Sequence, residues 1–346
     1  MFLNLPISLR AAAFATAVCA VAPLHADPVA EMASFSVFKN VDVNKLAAGK
    51  PMIQRGATMG FARGLAIEAC YVVRKPVART RELHLQWEPS RHPEMKVYLH
   101  TDLSAKPAPD EFKKLASAPS NSSVKSFAAA TQKLGSGSSD LQLSAAEAKS
   151  FGKDGGASGG ALPGPAAAFW SNVLFQRASA FLSGGMGKLP PYETAKETIR
   201  PAEEVARLLK ETPKIRGQFS ALLEATPILG AKSSLPASPY WELFDVEGQG
   251  AVSLGALYVK PAGDAVQIVD AQYYSSGGYY VYLSLFQMWP VKAGGQDATL
   301  VWRGDLLSSG NLAELHGMER MGSSAAMMRV TQKAIDLFQK DAAEAK

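Results

Sequence analysis

The fold of this chain is decided by the stretch YYVYLSLFQMW at residues 279–289. Alternate side chains of an extended strand point to opposite faces of a sheet. One face of this stretch carries Tyr279, Val281, Leu283 and Leu285, and the other carries Tyr280, Tyr282, Phe286 and Met288. Both faces are apolar, so a strand here needs a cover on each side. We expect the C-terminal helix to cover one face and helices from the middle of the chain to cover the other.

Further segments around this stretch have the same character and predict the rest of the sheet. They are rich in aromatic and β-branched residues, are separated by glycine-containing turns, and lie at residues 240–246, 251–260, 266–274 and 298–306. Such a succession indicates consecutive antiparallel strands. A long helix over residues 312–341 should follow, because apolar residues recur there at helical spacing. Its predicted stripe is Leu312, Leu315, Met318, Met321, Ala325, Met328, Ile335 and Phe338.

The chain before these strands is predicted to contain a short α/β portion and then a long insertion. The pattern indicates a strand at residues 65–73, a helix at 79–87 and a strand at 95–100. Residues 104–236 read as a helical and low-complexity insertion, with glycine- and serine-rich loops at 135–139 and 152–164. Within it we expect helices at residues 166–182, 203–210 and 219–224, and a capping box at Ser144 and Glu147. We therefore predict one α+β domain over residues 27–346.

Residues 1–26 have the pattern of a secretory signal peptide. A single charge at Arg10 precedes an apolar run at residues 11–22, and the small residue Ala26 stands before Asp27. The apolar run is about half the length of roughly 20 residues that spans a bilayer. We expect cleavage after Ala26, export to the periplasm or the cell exterior, and no transmembrane segment in the mature chain. Cys70 would then be its only cysteine, present as a free thiol.

The composition excludes several classes of function. With 36 basic and 31 acidic residues among 346, the formal charge is +5, and the basic residues are spread along the chain. A nucleic-acid-binding protein would show dense basic patches. The mature chain also has no phosphate-binding loop, no dinucleotide fingerprint and no paired-cysteine metal motif. We therefore expect no nucleic-acid partner, no cofactor and no metal.

Some short motifs suggest chemistry but lack the context that it requires. The segment GASGG at residues 156–160 matches a nucleophile elbow around Ser158, yet such an elbow needs a strand before it and a helix after it. His84, His92 and His100 follow one another at a spacing of eight, which matches no compact metal motif. We interpret the first segment as a loop and the histidines as solvated polar residues. The Arg303-Gly304-Asp305 tripeptide is interpreted as a chance occurrence at a strand end or bulge.

The order of elements over residues 64–100 and 240–341 resembles the helix-grip fold of START-type lipid-transfer and polyketide-cyclase-like proteins. The resemblance implies a curved antiparallel sheet closed by the long C-terminal helix. It also implies a cavity between the sheet and that helix that holds an apolar ligand. The fold hosts binding proteins, transfer proteins and enzymes, so it does not define a function by itself.

Two functions are consistent with this sequence, and we favour the noncatalytic one that binds a ligand. In it, the exported protein carries a hydrophobic or lipid-like small molecule, and the site is lined by Tyr280, Tyr282, Phe286, Trp302 and Met321. The alternative is a cell-envelope structural or interaction protein with a solid core, whose protein partner the sequence does not identify. A hydrolase comes third, since only Ser158 supports it. An enclosed apolar void would favour the carrier, and a filled core with an exposed apolar patch would favour the alternative.

Overall fold

The structure is a computed structural model that describes residues 27–136, 141–151, 162–193 and 197–345. These residues form an α+β fold built on an eight-stranded antiparallel sheet, with a long helix at the C-terminus. The predicted class and the antiparallel sheet are therefore confirmed. The expected signal peptide and Ser158 lie outside the described residues.

The structure confirms the five strands that the sequence predicts in the last third of the chain. Four of them are longer than predicted, whereas β9 begins two residues later than predicted, at Val281, and ends at Ala293. The strands are β1 (Met52–Arg55), β2 (Gly64–Val73), β3 (Val97–Asp102), β4 (Tyr192–Glu193), β5 (Thr198–Ile199), β6 (Ala237–Val246), β7 (Gln249–Ala262), β8 (Ala265–Ser275), β9 (Val281–Ala293) and β10 (Gln296–Ser308). The helices are α1 (Pro28–Phe35), α2 (Val43–Ala48), α3 (Val77–Leu85), α4 (Ser122–Gln132), α5 (Ala145–Ser150), α6 (Gly164–Gly184), α7 (Pro201–Glu211), α8 (Pro213–Gln218), α9 (Ser220–Glu224), α10 (Gly310–Glu314) and α11 (Gly317–Glu344).

The strand order is β1-β2-β10-β9-β8-β7-β6-β3, with every neighbouring pair antiparallel. Strands β6 to β10 form a meander whose tight turns use glycines at positive φ, such as Gly263 at 64° and Gly295 at 80°. Strand β2 joins the meander by pairing with β10, which places Cys70 opposite Trp302. Strands β4 and β5 form a separate two-stranded ribbon.

One face of the large sheet, which we call the packed face, carries Cys70, Trp302, Leu285, Val269 and Tyr258. Apolar side chains of α1, α4, α6, α7, α8 and α9 join these residues in a single buried core. The contacts are close and largely aromatic. The ring centroid of Phe35 lies 4.9 Å from that of Trp302, and the ring of Phe181 stacks on Tyr273 at 3.8 Å. Helices from residues 104–236 thus provide much of the cover on this face.

The other face, which we call the open face, carries Tyr71, Arg303, Phe286, Asp270 and Tyr240. Helix α3 and the C-terminal half of α11 cover part of it. Ile335, Phe338 and Ala342 of α11 share one apolar cluster with Tyr71 and Phe286. Across the described parts of the chain, no helix is both long enough and apolar enough to span a membrane.

The predicted C-terminal helix is interrupted, and part of its apolar stripe is wrong. Helix α10 ends at Glu314 and α11 begins at Gly317, so the periodicity of one continuous helix does not apply across the break. Met318 is 86% exposed and Met321 is 61% exposed. The buried side of α11 instead includes Ser324 and Thr331. Thr331 faces inward because its hydroxyl donates a hydrogen bond to the buried carboxylate of Asp305.

Candidate functional site

Polar side chains from five strands meet on the open face, within a region that is otherwise apolar. Residues paired directly across antiparallel strands point to the same face. The register pairs Asp270 with Ser284 and Ser284 with Asp305, and it pairs Gln272 with Tyr282. At the β3 edge of the sheet, on the same face, His100 of β3 pairs with Glu242 of β6. We call the following set the polar cluster: His100, Tyr240, Glu242, Asp270, Gln272, Tyr282, Ser284, Arg303 and Asp305.

Arg303 is held in one position by hydrogen bonds that use only part of its guanidinium. Its Nε donates to Asp305 Oδ1 at 2.8 Å, and its Nη2 donates to the hydroxyl of Tyr282 at 3.1 Å. Asp305 is fully buried and also accepts hydrogen bonds from Ser284 and Thr331. Among the described residues, Nη1 of Arg303 has no hydrogen-bond partner, although only 15% of this side chain is exposed. A donor is therefore fixed in place and left available.

Asp270 supplies an acceptor close to this donor. The Tyr240 hydroxyl donates to its Oδ1 at 2.8 Å, and Oδ2 has no hydrogen-bond partner in the described parts of the chain. Burial raises the pKa of Asp270 to about 7, and the negative charge of Glu242 acts in the same direction, against the hydrogen bond from Tyr240 and the charge of Arg303. Asp270 and Arg303 are not hydrogen-bonded to each other. A half-buried carboxyl group that titrates near neutrality is typical of functional sites.

Gly255 allows Tyr240 to reach Asp270. It lies on β7, between the strands that carry Tyr240 and Gln272. A Cβ atom at this position would collide with the ring and hydroxyl of Tyr240. The tyrosine therefore crosses β7 over a position where no side chain stands, which is a recognised use of glycine inside a strand.

The edge of the cluster on β3 and β6 is formed by the hydrogen-bonded side chains of His100 and Glu242. His100 Nδ1 lies 3.0 Å from Glu242 Oε1, and its ring stacks on Tyr240 at 5.2 Å between centroids. Burial lowers the pKa of His100, but the hydrogen bond and charge of Glu242, with a smaller effect of Asp102, outweigh it and raise the pKa overall. Glu242 thus favours the protonated form of His100 beside Asp270.

His84 of α3 borders the cluster on the side of Phe286, with the two ring centroids 4.2 Å apart. Burial, helped by the charge of Arg303, lowers the pKa of His84 to about 3, so this ring is neutral. His92 instead contacts Asp341 at 2.8 Å, and His100 faces Glu242. The three histidines therefore do not converge, and their interpretation as solvated side chains is wrong for His84. Across the described segments, no three His, Cys, Asp or Glu side chains are grouped to hold a metal ion.

The predicted ligand residues do not share one surface. Tyr282 and Phe286 lie on the open face, at the polar cluster. Trp302 lies on the packed face, where its Nε1 donates to Glu68 at 3.1 Å. Tyr280 stacks on Tyr192 within the packed-face core, with centroids 5.8 Å apart, and Met321 is exposed on α11. Strand alternation places Trp302 on the face opposite to Tyr282 and Phe286. Tyr280 precedes β9, which begins at Val281, so the alternation of that strand does not determine its side.

Sequence reasoning missed Arg303, Asp270 and Tyr240. A usable signal was present, since Asp270, Arg303 and Asp305 are charged residues inside otherwise apolar strands, where an unpaired charge is costly. The Arg303-Gly304-Asp305 tripeptide lies within β10, paired on both sides, rather than at a strand end. Its arginine and aspartate form a salt bridge on the open face.

Two surface clefts lie away from this cluster. A cleft of about 300 Å³ is lined by residues that include Arg74, Lys75 and Lys340, and one of about 170 Å³ is lined by residues that include Met59 and Arg320. None of the predicted ligand residues lines either cleft. Comparisons with protein-family models, with curated proteins and with solved structures find no significant match, so the polar cluster carries the functional argument.

Proposed function

We propose that this protein binds a small molecule on the open face, at the polar cluster, and does not transform it. The observation that carries the proposal is the pair of unused hydrogen-bonding atoms, Nη1 of Arg303 and Oδ2 of Asp270, in half-buried side chains on the same face. Neither atom is among the fully buried polar atoms without a partner, so a ligand can take the place of water at both without breaking a hydrogen bond within the protein. A ligand with an acceptor for Nη1 and a polar group that shares a proton with Oδ2 would bond to both atoms.

The ligand we propose also has an apolar part, which retains the predicted hydrophobic character of the cargo. Leu257 and Val259 of β7 are partly buried beside the cluster and pack against the same apolar group as Phe286. Leu83 and Trp87, at the end of α3, add to this surface. In this proposal Tyr282 and Phe286 contact the ligand, and Tyr280, Trp302 and Met321 do not.

We extend the helix-grip interpretation to α11 as part of the same proposal. The hydrogen bond from Thr331 to Asp305 attaches α11 to the edge of the polar cluster at 3.1 Å. Such an attachment would let α11 hold a ligand against the sheet. Export to the periplasm or the cell exterior also remains a proposal, supported by the pattern of residues 1–26. The buried position of Cys70 is compatible with it, because burial raises the pKa of this thiol to about 12 and keeps it unreactive.

The test is a fragment titration followed by amide NMR on the labelled protein. We expect fragments that carry both a polar and an apolar group to shift amide signals of β8, β9, β10 and α3. Asp270→Leu removes both carboxylate oxygens at a similar side-chain volume and should weaken these shifts. Asp297→Leu is the matched control, because Asp297 is an exposed carboxylate on the same β-meander. Shifts that avoid the cluster, or that Asp270→Leu leaves unchanged, would contradict the proposal.

The alternative, an envelope interaction protein, is favoured by one observation. Met318 and Met321 expose most of their surface near the beginning of α11, and large apolar side chains exposed together are typical of contact surfaces. This alternative predicts that Met318→Ser combined with Met321→Ser reduces retention of the protein in a cell-envelope fraction. The same double variant should leave fragment binding at the polar cluster unchanged.

A further inference from the structure

We infer that the ligand group held between Arg303 and Asp270 is a carboxylate, and that its binding places a proton on Asp270. This inference rests on the proposed binding function and specifies the ligand chemistry of that site. It is carried by the arrangement of the two side chains across β9.

The first step is the orientation of Arg303. Its guanidinium is fixed by Asp305 through Nε and by Tyr282 through Nη2, and Nη2 also lies 3.5 Å from Ser284 Oγ. The side chain therefore extends from β10 over β9, toward β8. A planar guanidinium that is already positioned favours carboxylate oxygens, because its donors lie in one plane and their geometry matches.

The second step is the position of Asp270 on the far side of this gap. Strands β8 and β10 are separated by β9, which corresponds to about 10 Å between their backbones. Arg303 is near enough for its charge to lower the pKa of Asp270, yet no hydrogen bond joins the two side chains. In our inference, one small polar group lies between the two side chains and bonds to both.

The third step is the charge of the surroundings. The groups whose hydrogen bond or charge acts on Asp270 are Tyr240 and Glu242 of β6, Arg303 of β10 and His100 of β3. Asp102 lies beside His100, and Tyr282 and Asp305 are bonded to Arg303. Helix α3 contributes the neutral His84, and α11 contributes the uncharged Thr331. Arg303 forms a salt bridge with Asp305, and Glu242 favours the protonated form of the neighbouring His100. Asp102 is 87% exposed on its side chain and is screened by water.

The charges around Asp270 favour a ligand group with a single negative charge that shares a proton with Asp270. A second carboxylate beside Asp270 is tolerated when the pair holds one proton between them. Because the pKa of Asp270 is already near 7, protonation costs little free energy at neutral pH. The protonated Oδ2 donates to one ligand oxygen, Arg303 Nη1 donates to the other, and solvent supplies the proton. A dianion would place a further charge beside Glu242, and a cation would lie beside Arg303.

The experiment is isothermal titration calorimetry with benzoate and its neutral isostere benzamide, over about pH 5.5 to 8.5, in buffers of different ionisation enthalpy. Above the pKa of Asp270 we expect benzoate to bind with uptake of about one proton, and its affinity to fall about tenfold for each pH unit. Below this pKa Asp270 already carries the proton, so uptake should disappear and the affinity should level off. In that lower range benzamide should bind more weakly than benzoate, and its affinity should not fall in the same way at higher pH. The aromatic ring of both probes suits the surface formed by Phe286 and Tyr282.

Asp270→Asn separates recognition from protonation. The amide cannot titrate but still donates a hydrogen bond, so benzoate binding should persist while its pH dependence disappears. Asp297→Asn should keep the dependence of the wild type, and thermal melting checks that both variants are folded. Equal binding of benzamide and benzoate, or a pH dependence that survives Asp270→Asn, would overturn the inference.

The outcomes also separate this inference from the proposed function. If neither probe binds but other fragments shift the amides of the polar cluster, the carboxylate assignment fails and the binding function stands. If benzoate binds and shifts amides elsewhere, both fail. If benzoate shifts the cluster amides and takes up a proton, both are supported.

Discussion

The two faces of the sheet differ in how deeply they bury their polar groups, and the contrast is clear along β10. The packed face also buries the hydroxyls of Tyr258 and Tyr273, which have no hydrogen-bond partner among the described residues. Trp302, on the packed face, is fully buried, whereas the next residue, Arg303, is on the open face and keeps 15% of its side chain exposed. On the packed face, the buried carboxylate of Glu68 accepts from Trp302 and from the backbone of Val37. Its hydrogen bonds thereby join the N-terminal segment to the sheet. On the open face, Arg303 and Asp270 each retain an unused atom.

This difference separates residues that hold the fold from residues that are available to a ligand. A packed-face change should appear as lost stability. A change in the polar cluster should appear as altered hydrogen bonding or titration, with a smaller loss of stability. The following predictions test that division, beginning with the largest expected effect.

Trp302→Ala should give the largest loss of stability. The indole packs against Phe35 and Phe219, with centroids at 4.9 and 5.6 Å, and its removal leaves a cavity. Changes of this kind cost about 3–5 kcal/mol in the free energy of unfolding, which chemical denaturation measures. Tyr282→Phe is the comparison on the open face, where loss of one hydrogen bond should cost about 1 kcal/mol. Equal losses would remove the distinction between the faces.

Gly255→Ala should have an intermediate effect, because the new methyl group collides with Tyr240. We expect a loss of about 1–3 kcal/mol, typical of overpacking, as Tyr240 is displaced from Asp270. Gly277→Ala is the control, since a Cβ atom there meets open space, and it should change stability by less than about 0.5 kcal/mol. A crystal structure of the Gly255→Ala variant with the Tyr240–Asp270 hydrogen bond intact would contradict the role given to this glycine.

The polar cluster should also change how stability depends on pH. The pKa of Asp270 is raised to about 7. Its contribution to the free energy of unfolding is therefore present at low pH and is lost as the pH rises toward 7. The pKa of His84 is lowered to about 3. Its contribution to the free energy of unfolding is therefore present above the pKa that histidine has in the unfolded chain, and it is lost as the pH falls. Between about pH 4 and 6.5 the two effects oppose each other.

Asp270→Asn removes one of these opposing effects. The free energy of unfolding of this variant should therefore rise more steeply with pH than that of the wild type over the same range, as measured by denaturation at several pH values. Parallel curves for the two proteins would show that Asp270 does not titrate differently in the folded and unfolded states.

Met321→Trp should have the smallest effect. With 61% of Met321 exposed, the larger ring has room in solvent, and we expect a change within about 0.5 kcal/mol. A loss of about 1–3 kcal/mol, as in an overpacked core, would show that this part of α11 is buried in solution. Melting temperature is sufficient for the comparison.

Local patterns were enough to predict most of the elements. The capping box at Ser144 and Glu147 forms at the start of α5, because both of its hydrogen bonds are made between neighbours in the chain. The meander strands were located because glycine turns separate apolar segments of strand length. Local patterns do not predict which side of α11 faces the sheet, because Thr331 is turned inward by a hydrogen bond to Asp305 of β10.

The α+β class, the meander and the presence of a C-terminal helix can be predicted from the sequence, because they follow from propensity and periodicity within short segments. The pairing of β2 with β10, and the position of α3 and α11 on one face of the sheet, depend instead on tertiary packing. The candidate site depends on such long-range pairings: Tyr240, Asp270 and Arg303 come from three strands, and Gly255 of a fourth lets them meet. No local pattern encodes which distant strands become neighbours, since that choice is made by packing across the whole core.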